Sequence, residues 1–129
     1  MSDNHNFLAL DWVKSEIEET LKQAQQALEA YIANPHDVAK LRFCLAYLHQ
    51  IFGTLQMVEF YGAAMLAEEM EKLCLSLVNH KVVDSAQAHH ALIEAMLQLP
   101  AYLERLQVAK RDTPFVLLPT INALRVAHD

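Results

Sequence analysis

Apolar residues recur at steps of three and four along most of this chain, which is the spacing of one face of an α-helix. In the first segment, from Leu8 to Ile32, the repeat consists of Leu10, Val13, Ile17, Leu21, Ala24, Leu28 and Tyr31. Glutamate, lysine and glutamine fill the opposite side of this segment. Almost nothing in the chain favours strands, so the pattern predicts an all-α fold.

Start and stop signals divide the periodic pattern into separate helices. A second helix is predicted from Pro35 to about Phe60, with Asn34 as its N-cap and Pro35 at its first position. Its inner, apolar stripe is predicted to consist of Val38, Leu41, Leu45, Leu48, Phe52 and Leu55. Gly62 is predicted to end that helix, because glycine readily adopts the left-handed conformation found at helix C-termini. A third helix should then run from Ala63 to about Asn79, with its charged side chains on the solvent side: Glu68, Glu69, Glu71 and Lys72.

The second half of the chain predicts two more helices. Asp84-Ser85-Ala86-Gln87 has the form of a capping box and should open the fourth helix. Pro100 should kink or split that helix, because proline removes a backbone donor. The last helix is expected to begin at either Pro114 or Pro119. These elements predict an antiparallel four-helix bundle with an added C-terminal helix.

Composition limits the class of protein and its partners. A chain of 129 residues is the length of one domain. With 16 acidic against 10 basic residues, a net charge of −6 and no basic stripe, nucleic acid is not an expected partner. The longest apolar runs are too short for membrane insertion, and no export signal is apparent, so we expect a cytoplasmic protein. Cys44 and Cys74 are then expected to be buried, reduced thiols.

Only two glycines occur in the chain, Gly53 and Gly62. A phosphate-cradling loop needs several glycines, so no bound nucleotide or other cofactor is expected. His90 and Glu94 share a helical face next to His89, but two ligands do not make a metal site, and a solvated face is expected there. No serine or cysteine nucleophile lies near a base in a recognisable pattern, which argues against an independent enzyme. The shortage of glycines likewise argues against an ATP site within this chain.

His49 is the residue with the clearest chemical potential. It is placed at the flank of the apolar arc of the second helix, beside Arg42 and Gln56, with Gly53 one turn further on. A neutral imidazole on a rigid element can accept a phosphoryl group. Glycine inside a helix costs about 1 kcal/mol relative to alanine, and access to His49 would explain its presence. His49 is therefore a candidate phosphoacceptor.

The segment His49-Gln50-Ile51-Phe52-Gly53-Thr54 resembles the histidine-phosphotransfer (Hpt) motif, His-x-Leu-Lys-Gly followed by a small residue. More closely, residues 41–73 are similar to the amino-terminal domain of the chemotaxis-type hybrid histidine kinases that control type IV pili and twitching motility. The similarity extends to Leu10-Asp11-Trp12-Val13-Lys14 and to Phe115-Val116-Leu117-Leu118-Pro119.

That resemblance implies a signalling role and a set of partners. Residues 1–129 would form a single Hpt-like domain at the start of a longer protein. Its partners would be receiver domains and a histidine kinase core, either in the same polypeptide or in separate ones. His49 would be phosphorylated, with Gly53, Arg42 and Gln56 in support. The supporting carboxylate on the next helix could be Glu68, Glu69 or Glu71.

Several alternatives remain open on the sequence. The domain could be a non-phosphorylated binding or dimerisation adaptor that uses the surface around His49, Gly53 and Phe60. Phe52 favours this alternative, because the motif has a basic residue there, and a related twitching-motility protein shares the domain without the histidine. His49 could also be a half-buried structural residue, with Gly53 allowing close helix packing. The methionines at helical spacing form either a docking surface or core filler: Met57, Met65 and Met70.

Overall fold

Five helices make up nearly all of the computed structural model, which describes residues 2–109 and 117–128. The helices are α1 (Ser2–Ala33), α2 (Val38–Met57), α3 (Tyr61–Val78), α4 (Ser85–Ala109) and α5 (Leu118–His128). The described residues contain no strand, which agrees with the predicted all-α class and its added C-terminal helix. No helix within the described ranges is long and apolar enough to cross a membrane.

The first four helices pack in a ring. α1 contacts α2 and α4, and α3 contacts the same two helices, while α5 lies against α3 and α4. The largest fully buried side chains come from all four ring helices: Ile17, Leu28, Leu41, Leu48, Ile51, Leu55, Leu66, Met70, Leu73, Leu92 and Tyr102. Burial of these side chains is the main force holding the helices together, because each removes apolar surface from water. The arrangement is a helical bundle with one further helix.

The buried face of α2 is rotated slightly from the expected stripe. Its buried residues are Leu41, Cys44, Leu48, Ile51 and Leu55. Leu45 and Phe52, which the periodicity placed in the core, are only half-buried. This rotation turns the opposite face of α2, with His49 and Gly53, fully toward solvent.

The start of α2 differs from the prediction. The N–H of Asp37 donates to the carbonyl of Asn34 at 3.0 Å, which closes a turn over Pro35 and His36. Proline suits the second position of such a turn, so the dipeptide that resembled a helix start is a β-turn instead. Asp37 occupies the cap position and α2 begins at Val38, so the predicted Asn34 cap is wrong.

The turn between α2 and α3 does not use Gly62. Glu59 adopts the left-handed conformation, with φ of 67°. The N–H of Phe60 donates to the carbonyl of Leu55 at 3.0 Å, and that of Glu59 donates to Gln56 at 3.1 Å, which is the Schellman pattern. Phe60 and Leu55 are both buried, and this hydrophobic pair explains why the helix ends before the glycine. Gly62 instead lies buried in the first turn of α3.

The predicted cap of α4 is confirmed. Asp84 Oδ1 accepts a hydrogen bond from the N–H of Gln87 at 3.1 Å. α4 then continues to Ala109 with Pro100 inside it, so the proline does not split the helix. α5 begins immediately before Pro119, where the first turn of a helix needs no donor. The other predicted start, Pro114, lies outside the described residues.

Candidate functional site

The exposed face of α2 carries the residues that the sequence singled out. Arg42, Ala46, His49, Gly53 and Gln56 all lie on this face, and all five are exposed. We call this set the α2 strip. The side chain of His49 is 69% exposed, so the half-buried structural histidine is excluded. Small residues, Ala46 and Gly53, lie about one turn to either side of His49, which leaves the imidazole open to approach.

Glu71 on α3 holds the imidazole of His49. Nδ1 of His49 lies 2.9 Å from Oε2 of Glu71, whose side chain is 25% exposed. In the neutral ring, the Nδ1–H donates to this carboxylate, so the lone pair resides on Nε2. The arrangement therefore fixes both the orientation and the tautomer of His49, and leaves Nε2 as the available nucleophile or acceptor.

Of the three carboxylates left open by the sequence, Glu71 is the one that lies within hydrogen-bond distance of His49 in the described structure. Glu68 instead forms an ion pair with Lys72 at 3.6 Å, one turn along the same helix. The ring centroid of Phe52 lies 6.5 Å from that of His49, with the two planes tilted by 42°. Phe52 thus borders the imidazole on the side where the Hpt motif has a cation.

Gly53 has no packing role within the described chain. A Cβ atom built on this glycine would meet no heavy atom within 4 Å beyond its adjacent residues and the backbone of its own helical turns. Close helix packing therefore does not explain the glycine, which was the structural alternative. The empty space lies one turn from His49, on the solvent side of α2.

Two thiols lie beneath this surface, where α2 meets α3. Cys44 and Cys74 are both buried and unbonded to each other, as predicted. The Cys74 thiol donates to the carbonyl of Leu41 at 3.6 Å. A hydrogen bond with Cys44, burial and the nearby charge of Glu71 raise the pKa of Cys74 far above its ordinary value. Cys74 is therefore a neutral, unreactive thiol in the folded protein.

Glu69 is the residue whose role the sequence analysis missed. It is only 3% exposed, although the glutamates of this helix were expected on the solvent side. Its Oε1 accepts a hydrogen bond from Nε of Arg125 at 3.1 Å, and its Oε2 lies 3.5 Å from Nε2 of His128. Glu69 therefore joins α3 to α5. A signal was present, because Glu69 is three residues after Leu66 and four before Leu73, within the apolar stripe.

The remaining histidine and methionine candidates divide between surface and interior. His90 and Glu94 are both exposed, which confirms the solvated face expected for this pair. The neighbouring His89 is half-buried, with its ring edge-on to Tyr31 at 5.8 Å, and burial lowers its pKa. No group of three potential metal ligands occurs in the part of the chain that the structure describes. Met70 is core, whereas Met57 and Met65 are exposed.

Comparison with known proteins identifies relatives over almost the whole chain. Residues 8–124 match the family model described as the FimL C-terminal domain. The chain is 34% identical over 119 residues to the scaffold protein FimL of Pseudomonas aeruginosa strain PAO1. The match covers 92% of this chain and 21% of that protein, so the chain spans about a fifth of the length of this relative. No solved structure matches.

Proposed function

The chain belongs to the FimL C-terminal domain family, and we propose that it is an adaptor domain that docks a signalling protein on the α2 strip. A relative named as a scaffold protein supports a role in joining proteins rather than in catalysis. The resemblance to the hybrid histidine kinases of type IV pilus control supports a place in that pathway. Receiver domains and the kinase core are then the expected partners.

The empty space over Gly53 is the observation that supports docking most directly. Glycine in a helix interior costs about 1 kcal/mol relative to alanine. Neither a positive φ nor a close contact within the described residues requires glycine at this position. The reason for the glycine then lies outside the described residues. A protein surface that packs against α2 at this point would supply that reason.

Direct binding tests the proposal. Purified receiver domains and the kinase core of the host's chemotaxis-type pilus system would be titrated into the chain by calorimetry. We expect at least one of them to bind, and we expect Gly53→Leu or Ala46→Leu to abolish binding by filling the approach to α2. Circular dichroism would show that each variant keeps its helices.

A matched variant separates docking from general surface change. Ala101 is an exposed alanine on α4, so Ala101→Leu adds on another helix the same volume that Ala46→Leu adds on α2. It should leave binding unchanged. If no domain of the system binds, the expected partners are wrong. If Ala101→Leu and Gly53→Leu behave alike, the proposed docking surface is wrong.

Phosphotransfer at His49 is a second candidate, favoured by the contact between His49 and Glu71. In this proposal, Nε2 attacks the phosphorus of a receiver's aspartyl phosphate. The N–P bond forms as the acyl O–P bond breaks, and the aspartate carboxylate leaves. Glu71 stabilises the positive charge that develops on the ring, because its carboxylate accepts from Nδ1–H at 2.9 Å.

Radiolabelling separates the two functions. Phosphotransfer predicts a label that is acid-labile, base-stable and absent from His49→Gln, while the variant keeps its fold. The adaptor predicts that the wild-type chain and His49→Gln both bind the partner and that neither carries a label. A wild-type chain that no phosphorylated receiver or kinase core ever labels would exclude the second candidate.

The proposed adaptor is one domain of a longer cytoplasmic protein, built on an antiparallel Hpt-type bundle. The length of the curated relative, of which the chain covers 21%, supports the longer protein. Short connections between the helices support the antiparallel arrangement, because they return the chain beside the preceding helix.

A further inference from the structure

α2 differs from the rest of the molecule in charge. Its 20 residues contain no aspartate or glutamate, although the chain as a whole has 16 acidic residues and a net charge of −6. Two side chains of α2 carry a full charge at neutral pH, and both are cations: Lys40 and Arg42. The helix that carries the α2 strip is therefore the one long surface element of the ring that offers no carboxylate of its own.

Arg42 is the exposed cation of the strip. No carboxylate among the described residues forms an ion pair with it. Lys40, by contrast, has its Nζ 5.9 Å from the ring centroid of Phe43, which is itself 52% exposed. Arg42 is seven residues before His49, so the two side chains lie on one face, about 10 Å apart along the axis.

We infer that the partner presents an acidic protein surface to the α2 strip, with one of its carboxylates paired to Arg42 and its closest-approaching segment over Gly53. This inference rests on the adaptor function proposed above. A guanidinium binds a carboxylate through two parallel hydrogen bonds, which fixes orientation as well as position. Phe43 and Met57, both exposed on α2, supply apolar contact at either end.

The charge of the remaining surface supports this assignment. An acidic partner is repelled by the carboxylates of the other ring helices and meets no such repulsion from α2 itself. A nucleic acid would need a stripe of cations, whereas the strip has one arginine followed by small and neutral residues. The pattern fits a single carboxylate contact within a largely neutral interface.

Charge reversal tests the inference on the partner found by calorimetry. Arg42→Glu should weaken binding by about tenfold or more, and the loss should be partly restored by an Asp or Glu to Arg change on the partner. Arg105 is an exposed arginine on α4, so Arg105→Glu is the matched control and should change affinity less than about twofold. Raising the salt concentration should weaken wild-type binding more than binding of Arg42→Gln.

A second measurement needs no native partner. The ¹⁵N-labelled chain would be titrated with a helical peptide of alanine and glutamate, with a peptide of alanine and lysine, and with inorganic phosphate. We expect amide shifts at Arg42, Ala46 and Gly53 with the glutamate peptide alone. Equal shifts with phosphate, or shifts spread over α4, would overturn the preference for an acidic protein surface.

The outcomes distinguish this inference from the adaptor function. If Gly53→Leu abolishes partner binding while Arg42→Glu leaves it unchanged, the adaptor stands and the acidic partner is wrong. If no tested domain binds but the glutamate peptide shifts α2 alone, the expected partners are wrong and the acidic preference stands. Absence of both signals would overturn both proposals.

Discussion

Glu69 and Glu71 lie two residues apart on α3 and face different parts of the molecule. Glu69 is buried against Arg125 and His128 of α5. Glu71 is partly exposed and holds the imidazole of His49 on α2. Residues two positions apart on a helix point in directions about 200° apart, so Glu69 and Glu71 face different neighbouring helices. α3 thus serves a closed junction on one side and an open surface on the other.

The two carboxylates show what each side of α3 requires. At the junction with α5, charge is enclosed and its partners are contributed by the same chain. At the junction with α2, Glu71 holds one nitrogen of His49. Among the described residues, no carboxylate pairs with the other side chains of the α2 strip. An internal network is typical of structure, whereas an oriented but open group is typical of a surface that acts on another molecule.

The largest expected effect is on the closed side. Glu69→Ala should lower the free energy of unfolding by about 1–3 kcal/mol, because it removes a buried acceptor of charged donors. The loss stays moderate, since Arg125 is 49% exposed and can regain water. Urea unfolding followed by circular dichroism measures the change.

Glu68→Ala is the matched control for that loss, because Glu68 pairs only with Lys72 in the described structure and at 3.6 Å. It should change stability by less than about 0.5 kcal/mol. Equal effects of the two variants would mean that the junction with α5 contributes no more than a surface ion pair.

A smaller effect of opposite sign is expected on the open side. Gly53→Ala should raise the free energy of unfolding by about 0.5–1 kcal/mol, since alanine favours the helix and the added methyl group meets no other side chain or packed helix within 4 Å. Ala46→Gly, the reverse change one turn before His49, should lower it by a similar amount. Thermal unfolding of both variants measures the pair.

If Gly53→Ala destabilises the protein, the space over Gly53 is not empty in solution, and contacts within the protein would explain the glycine without an external partner. A stabilised variant with weakened partner binding would instead show a residue kept for function at the expense of stability.

The smallest effect on stability is expected at Glu71. Glu71→Gln should change the free energy of unfolding by less than about 0.5 kcal/mol, because its partner is largely exposed. The tautomer of His49 should change more visibly. An amide can donate as well as accept, so the share of Nδ1–H should fall, as ¹⁵N chemical shifts of the ring would report. Glu68→Gln should leave the ring spectrum unchanged, and a spectrum insensitive to Glu71→Gln would show that the contact does not persist in solution.

Sequence reasoning succeeded where one local signal decides the structure. Asp84 could be predicted as a cap because its carboxylate and the N–H of Gln87 are three residues apart. It failed where the same residues satisfy two local motifs. Asn34-Pro35-His36-Asp37 suits both a helix start and a β-turn, so the local sequence does not distinguish the two, and the structure has the turn.

The same limit applies to the candidate site. The helical period placed His49, Arg42 and Gly53 on one exposed face, because that arrangement depends on α2 alone. Which glutamate meets His49 depends on how α3 is rotated against α2. The burial of Glu69 depends further on α5, which begins at Leu118, 49 residues further along the chain. These contacts are tertiary, and periodicity within one helix does not determine them.

The buried thiols between α2 and α3 give the molecule an internal reporter. Cys74 ionises poorly while it is enclosed with Cys44, so a thiol reagent should react only when the two helices separate. The rate of labelling therefore measures the equilibrium by which α2 and α3 separate, and it does so without any substitution in the protein. A partner that binds the outer face of α2 should slow the modification, because binding favours the closed state. The degree of slowing would report the free energy of binding.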